Sequence, residues 1–379
     1  MEENSPMLTE HRLNGDSIKV AIVAPSLRYV GGQSVQADLL KHLWRNDPNV
    51  EIRFLAVDPH LPDILSWAEG MPGVRTILRE PLYLLHLWRG LKEIDVAHIF
   101  AASYWSFLLA PAPAWLIAKV FKKKSIINYH SGEARDHLKR FRSGMFVLSR
   151  ADQIVTCSDY LVNVFREFGL SAIAIPNVVD LSQFHFHERN PLRPHLVCTR
   201  GFSEYYGVDV VVKAFAEVKK VFAEARLDLV GGGPLEPAIR KQVANLRLSG
   251  VNFAGVVSRE RIGMYYDQSD IFINASWLDN LPVSVIEAFR AGTPVVSTCP
   301  ECMPYLVEHE RTGLLSKVGD ERALAANVIR LLQDGALARK LAMNAHHEST
   351  KYTWDVAREQ WLRVYRDLAR LNSQTANSV

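Results

Sequence analysis

Along most of its length the chain alternates short β-branched runs with segments of helical period, and this alternation constrains the fold more than any other feature. "SIKVAIVAP" (17–25) reads as a strand, "YVGG" as a turn, and "SVQADLLKHLW" (34–44) carries its apolar residues at helical spacing. Further strand-like runs follow in "EIRFLAV", "VRTIL", "DVAHIFA", "SIINYH", "DQIVTCS" and "AIAIPN", mostly with amphipathic segments between them. Such alternation predicts an α/β protein built on parallel sheets with helices on both faces.

The second half repeats this plan without repeating the sequence. "HLVCTR" precedes a helical "VDVVVKAFAEVKKVF", "ARLDLVGGG" precedes "PLEPAIRKQVANL", "VNFAG" precedes "SRERIGMYYDQ", and "DIFINAS" precedes "LPVSVIEAFRAG" and a closing "TPVVST". Two doubly wound, Rossmann-like domains are the simplest reading, with a first domain over 17–180 and a second over 195–350. The stretch "VVDLSQFHFHERNPLRPH" between them is polar, contains prolines and has no sustained period, so 181–194 reads as a linker. Residues 1–16 read as a flexible tail, and 351–379 as a helix and tail, since "VAREQWLRVYRDLARL" is strongly amphipathic.

Composition permits this plan and narrows the function. The 379 residues, 48% of them hydrophobic, suffice for two buried cores, and 44 Lys plus Arg against 41 Asp plus Glu leave a formal charge of +3, which gives no support to nucleic-acid binding. The polar start has no apolar core of signal-peptide length, so the expectation is a cytoplasmic protein. Residues 99–120 approach the length and hydropathy of a membrane span. Pro111, Pro113, Ser103 and Ser106 and the strand-like flank favour a strand followed by a buried helix. Lys122, Lys123 and Lys124 beyond it are a candidate for peripheral contact at the inner face of a membrane, with a solvated helix end as the plainer reading.

Metal chemistry finds no support in the pattern. Cys299 and Cys302 form one CxxC pair without a second, and His185, His187, His346 and His347 lack partner ligands at metal spacing. No metal is expected.

In open α/β sheets, ligands bind beyond the carboxyl ends of the strands. Four such loops carry chemistry. Gly31 and Gly32 follow the first strand and allow close backbone approach to an anion at a helix start. His130 ends the strand "SIINYH". Arg200 follows "HLVCT" as a phosphate clamp, with the glycines of "LVGGGP" at the next strand end. Asp279 and Asn280 read as helix caps before Pro282 in a first helical turn, which leaves the amides of Leu281, Val283 and Ser284 for a phosphate. Glu287 follows one turn deeper.

Together these stretches resemble the retaining glycosyltransferases of family 4. The resemblance is carried by "LVGGGPLE", "FAGVVSRERIGMYYDQSDIFINAS", "LPVSVIEAFRAGTPVVST" and "YLVEHERTGLLSKVGD", in order and spacing, and spans roughly residues 18–370. It implies the GT-B fold, with the two domains facing a central cleft and the C-terminal helix crossing back to the first. It implies transfer of a sugar from a nucleoside diphosphate sugar, UDP- or GDP-linked, to an acceptor hydroxyl on a glycan, a lipid-linked molecule or a small molecule. The anomeric configuration would be retained, and neither metal nor other cofactor used.

By the same resemblance His130, Arg200, Asp279 and Glu287 carry catalysis. Asp279 would hold the donor sugar, Glu287 the ribose, Arg200 the diphosphate, and His130 would lie beside the transferred sugar. Gly31, Gly32, Gly232, Gly233, Val256, Asn280, Leu281, Val283 and Ser284 complete the donor-binding set. Three positions depart from the family pattern: Asp279 stands for the usual glutamate, Asn280 for glycine, and Tyr206 for the diphosphate lysine. Two rival readings stand beside this one: a nucleotide-sugar epimerase of the same fold, and a non-catalytic scaffold that binds a sugar or a partner, which Tyr206 in place of lysine suggests.

Overall fold

A computed structural model describes residues 17–28 and 31–376; the expected tails at 1–16 and 377–379, and the first half of the expected "YVGG" turn, lie outside the described residues. Among the described residues, twelve strands form two sheets. The first sheet comprises β1 (Ile18–Ala24), β2 (Val50–Ala56), β3 (Val96–Ala101), β4 (Lys124–Tyr129), β5 (Gln153–Thr156) and β6 (Ile173–Ala174). The second comprises β7 (His195–Cys198), β8 (Arg226–Val230), β9 (Val251–Gly255), β10 (Ile271–Asn274), β11 (Val295–Thr298) and β12 (Leu314–Ser316). Their orders are β2-β1-β3-β4-β5-β6 and β12-β11-β10-β7-β8-β9. Pairings within each sheet are parallel.

Burial follows the sheet order, because helices cover both faces of a parallel sheet and leave only its edges near water. Every residue of β3, β10 and β11 is buried, whereas the edge strands β2 and β9 are half exposed. Around the second sheet the core joins Leu196, Leu227, Leu229 and Ile273 to Val211 and Phe215 of the helix Val208–Val221 and Leu324, Val328 and Leu331 of the helix Glu321–Gln333.

By backbone proximity the chain divides into one unit of residues 1–100, 108–126 and 361–379, and a second of 101–107 and 127–360. The C-terminal helix Trp354–Ala376 begins in the second unit and ends in the first. There its Trp361 and Tyr365 rings stack, and Tyr365 donates a hydrogen bond to or accepts one from His98 Nδ1 at 2.8 Å.

Two expectations need correction. "VRTIL" is no strand but part of the helix Pro72–Gly90. Its β-branched residues fall within a longer pattern of helical period, and Tyr83 and Leu87 bury the inner face. The apolar stretch 99–120 leaves β3 for the helices Tyr104–Leu109 and Pro111–Val120, and the second is only half buried, with Leu116 and Val120 exposed. Among the described residues no helix is long and apolar enough to cross a membrane.

The order of the second sheet has a functional consequence. From β7 the chain builds outward through β8 and β9, then returns to the far side of β7 with β10, β11 and β12. The direction reverses between β7 and β10, and such a switch point opens a crevice at the strands' carboxyl ends. Arg200 follows β7 and Asp279 follows β10.

Candidate active site

The Arg200 side chain is 8% exposed, and its Nη2 forms an ion pair with Asp279 Oδ2. Its Nη1 donates to Ser284 Oγ at 3.0 Å, and its guanidinium lies over the Tyr206 ring, 4.0 Å from the centroid. Burial alone would depress the guanidinium; the neighbouring carboxylate outweighs it, and the pKa is raised. Three residues, Tyr206 close in sequence and Asp279 and Ser284 distant, thus fix one cation at the switch point.

The backbone below Arg200 requires glycine at two positions. Gly231 has φ +151, and an added Cβ would meet the Arg200 carbonyl oxygen at 2.3 Å. Gly233 has φ +153, with the Phe202 carbonyl oxygen 2.5 Å from such a Cβ. Between them, the Gly232 carbonyl oxygen accepts from the Phe202 amide at 2.9 Å. Val256 lies over Gly232, 3.1 Å from a Cβ built there, and is itself 84% exposed.

The segment after β10 differs from the expected cap. The helix is Val283–Ala291 with Pro282 as its N-cap, so neither Asp279 nor Asn280 caps it. Asp279 is turned to Arg200 and accepts the Asn280 amide at 3.0 Å, while Asn280 Nδ2 donates to the His130 carbonyl at 2.6 Å. The physical reason is competition: a buried guanidinium is a stronger partner for a carboxylate than backbone amides that a proline-led turn holds elsewhere. The amides of Val283 and Ser284 open the helix without intrahelical acceptors. Leu281 is buried beside them.

Glu287 sits one turn further on. Its Oε2 accepts from the hydroxyl of Tyr266 at 2.8 Å, and that hydroxyl also lies 2.6 Å from Thr199 Oγ1 and 3.0 Å from the Ser284 carbonyl oxygen. Burial raises the Glu287 pKa, against the lowering effect of the Tyr266 hydrogen bond. Burial also lowers the His130 imidazole to about 4, so it is neutral at pH 7.

The structure therefore brings together His130, Arg200, Gly232, Gly233, Val256, Asp279, Asn280, Leu281, Val283, Ser284 and Glu287 within the second unit. Gly31 and Gly32 belong to the first unit, where Gly31 is the N-cap of the helix Gly32–Leu43 and its amide donates to Ser34 Oγ at 2.9 Å. A Cβ at either glycine would meet nothing within 4 Å.

The sequence reading missed Thr199 and Tyr266, since a tyrosine on an amphipathic helix is indistinguishable from core. It also missed Gly207, whose positive φ only the backbone reveals. All four cysteines are free. His187 pairs with Asp267 at 3.3 Å and His346 Nδ1 lies 3.0 Å from the Arg290 carbonyl oxygen, so both are accounted for locally.

Solved structures share this architecture across almost the whole chain. Sucrose-phosphate synthase of Thermosynechococcus elongatus superposes with a TM-score of 0.74 at 19% identity, covering 93% of this chain and 99% of its own. Anabaena HepE, in complex with UDP-glucose, does so with a TM-score of 0.70 at 15% identity, covering 96% and 100%. This is the GT-B fold. A family model described as "Glycosyltransferase Family 4" matches residues 30–183, and one described as "Glycosyl transferases group 1" matches 193–334. The chain belongs to the group 1, family 4 glycosyltransferases.

Relatives with known names are more distant in part. The α-monoglucosyldiacylglycerol synthase of Acholeplasma laidlawii is 26% identical over 44% of this chain and 42% of its own length. The amylovoran biosynthesis glycosyltransferase AmsK of Erwinia amylovora is 29% identical over 47% and 46%. The phosphatidyl-myo-inositol mannosyltransferase of Mycobacterium leprae is 26% identical over 54% and 56%. The chain thus spans about half the length of these relatives.

Proposed function

We propose that the protein is a retaining glycosyltransferase that moves a sugar from a nucleoside diphosphate sugar to an acceptor hydroxyl. The observation that carries this reading is the buried Arg200 at the switch point between β7 and β10, held by Asp279, Ser284 and Tyr206 and facing the start of the helix Val283–Ala291.

In this reading the departing diphosphate is stabilised by Arg200 and by the amides of Val283 and Ser284. Both are preorganised toward the charge that develops as the glycosidic bond breaks. Asp279 is assigned to the donor-sugar hydroxyls and Glu287 to the ribose. His130, neutral at pH 7, is assigned to hydrogen bonding with the transferred sugar rather than to proton release. Gly232, Gly233 and Val256 line the nucleoside side, and Gly31 and Gly32 are assigned anion contact at the carboxyl end of β1. Anabaena HepE binds UDP-glucose, which favours a UDP-linked donor here. The acceptor is a sugar or a lipid-linked molecule.

Thermal shift with UDP, GDP and ADP identifies the nucleotide, because a ligand bound only by the folded state raises its stability. Turnover with the matching sugar donors, in the presence of EDTA, then tests the reaction. Arg200→Ala is expected to lower kcat by about 10²–10³ with the fold intact. Undiminished turnover in that variant would overturn the assignment.

A further inference from the structure

The helix Pro72–Gly90 in the first unit turns an apolar edge to solvent. Ile77, Leu84, Leu85 and Trp88 fall on one face of it by helical period and all are exposed, Ile77 by 73% and Trp88 by 51%. Its inner face is conventional, with Tyr83 and Leu87 buried. Two of the elements that pack against this helix also expose large apolar side chains. The short helix Asp63–Gly70 adds exposed Ile64 and Trp67, and the helix Pro111–Val120 adds exposed Leu116 and Val120. So many exposed large apolar side chains on helices packed together are rare on a monomer without a binding role.

Charge identifies what covers it. Trp88 packs on Phe121, ring centroids 4.7 Å apart, so that Lys122 and Lys123 follow directly on the aromatic end of the stripe, with Arg89 and Lys92 beside it in sequence. Of the acidic residues nearby, Glu69 is engaged by Arg28 and Arg79 and Glu93 by Arg53. Glu80 on the same helix is half-buried, its pKa raised by burial, and Asp63 opens the short helix, so among the described residues the cations at the aromatic end outnumber the acids left without an ion pair. An apolar ridge with tryptophans, bordered by surplus cations, is the composition of a helix that lies in the plane of an anionic membrane surface.

We propose that this face of the first unit docks on an anionic lipid bilayer, with Ile77, Leu85 and Trp88 entering the acyl boundary and Lys122 and Lys123 meeting the headgroups. The inference goes beyond the transfer reaction and stands on the first unit alone. Binding is measured without donor or acceptor, so its failure leaves the transfer reading untouched.

The test is co-sedimentation of the full chain with vesicles of phosphatidylcholine, with and without phosphatidylglycerol. Binding is expected with phosphatidylglycerol and much weaker binding without it. Ile77→Ser with Trp88→Ser should lower vesicle affinity at least about tenfold, and Lys122→Glu with Lys123→Glu roughly fivefold per lysine, both with unchanged Tm. If the serine variant loses stability, quenching of wild-type tryptophan fluorescence by brominated phosphatidylcholine in the mixed vesicles decides instead, its presence supporting the proposal and its absence overturning it. Wild-type protein that stays in the supernatant at both compositions would overturn it. So would a concentration-dependent dimer that buries this face in place of vesicle binding.

Discussion

The Arg200 guanidinium lies over the ring of Tyr206, 4.0 Å from its centroid. The family resemblance places a lysine at position 206, and read as sequence the phenol is a lost charge. In three dimensions it is a platform: the ring shields one face of a cation whose edge is held by Asp279 and Ser284. A desolvated cation–π contact is worth about 0.5–2 kcal/mol. Tyr206→Ala should therefore raise the donor KM by about 2- to 30-fold, whereas Tyr206→Phe keeps the stack and should stay near wild type. Equal effects from both, in steady-state kinetics, would show that the hydroxyl and not the ring matters.

Glu287 and Tyr266 make a second coupled pair, and here stability and binding should move in opposite directions. The folded-state pKa of Glu287 lies above its ordinary value because burial disfavours the charge. The folded state therefore holds its proton to higher pH than the unfolded one, and stability falls as pH rises through that window. Above that window the full cost is present, so there Glu287→Gln should raise Tm while weakening donor binding. Thermal denaturation with and without UDP separates the two effects. Tyr266→Phe instead removes a donor from a buried carboxylate, which costs about 1–3 kcal/mol, and it should shift the acid limb of nucleotide affinity to higher pH.

Gly207 precedes the helix Val208–Val221 at φ +57, and a Cβ there would lie 2.1 Å from the Ala275 carbonyl oxygen. Because the obstacle is backbone just beyond β10, neither a rotamer change nor a small shift removes it. Gly207→Ala should cost at least about 3 kcal/mol and lower Tm by several degrees. Gly32→Ala is the control, since a Cβ there meets nothing within 4 Å; urea denaturation of the two variants should differ sharply.

How much of this was legible beforehand depends on the length scale of each signal. A strand such as β1 is marked by the unbroken apolar run 20–24, and the strand-like and helical patterns alternate clearly enough to give two parallel sheets. "VRTIL" misled because five residues cannot distinguish a strand from a helical turn, and the decision came from Tyr83 and Leu87 packing far downstream. In the site, Arg200, Asp279 and Glu287 were visible as charged residues at strand ends. Their partners were not: the Arg200–Asp279 ion pair joins positions 79 apart, and nothing local in "MYYDQ" marks Tyr266 rather than Tyr265 as the residue that reaches Glu287. Asp279 was misread as a cap for the same reason, since capping is a local rule and the guanidinium that overrides it comes from another strand.

Acid should expose the buried histidines. Burial lowers His130 and His137 to about 4, against an ordinary value of 6.5. Between these values the unfolded chain binds protons that the folded protein excludes, so stability is fully present above pH 6.5 and is lost as pH falls toward 4. Each pH interval of one between the two values is worth roughly 1.4 kcal/mol, so each histidine contributes up to about 3 kcal/mol to that loss. Tm should decline steadily from pH 6.5 downward, and His130→Asn should flatten the decline, because asparagine keeps a polar side chain but cannot charge. The same burial makes a kinetic prediction. The rate of sugar transfer should show no ionisation near pH 6.5 from His130, so kcat should be level between pH 6 and 7.5. A rate that halves near pH 6.5 in the wild type and becomes level in His130→Asn would show that this imidazole titrates as an exposed group and takes part as an acid or base.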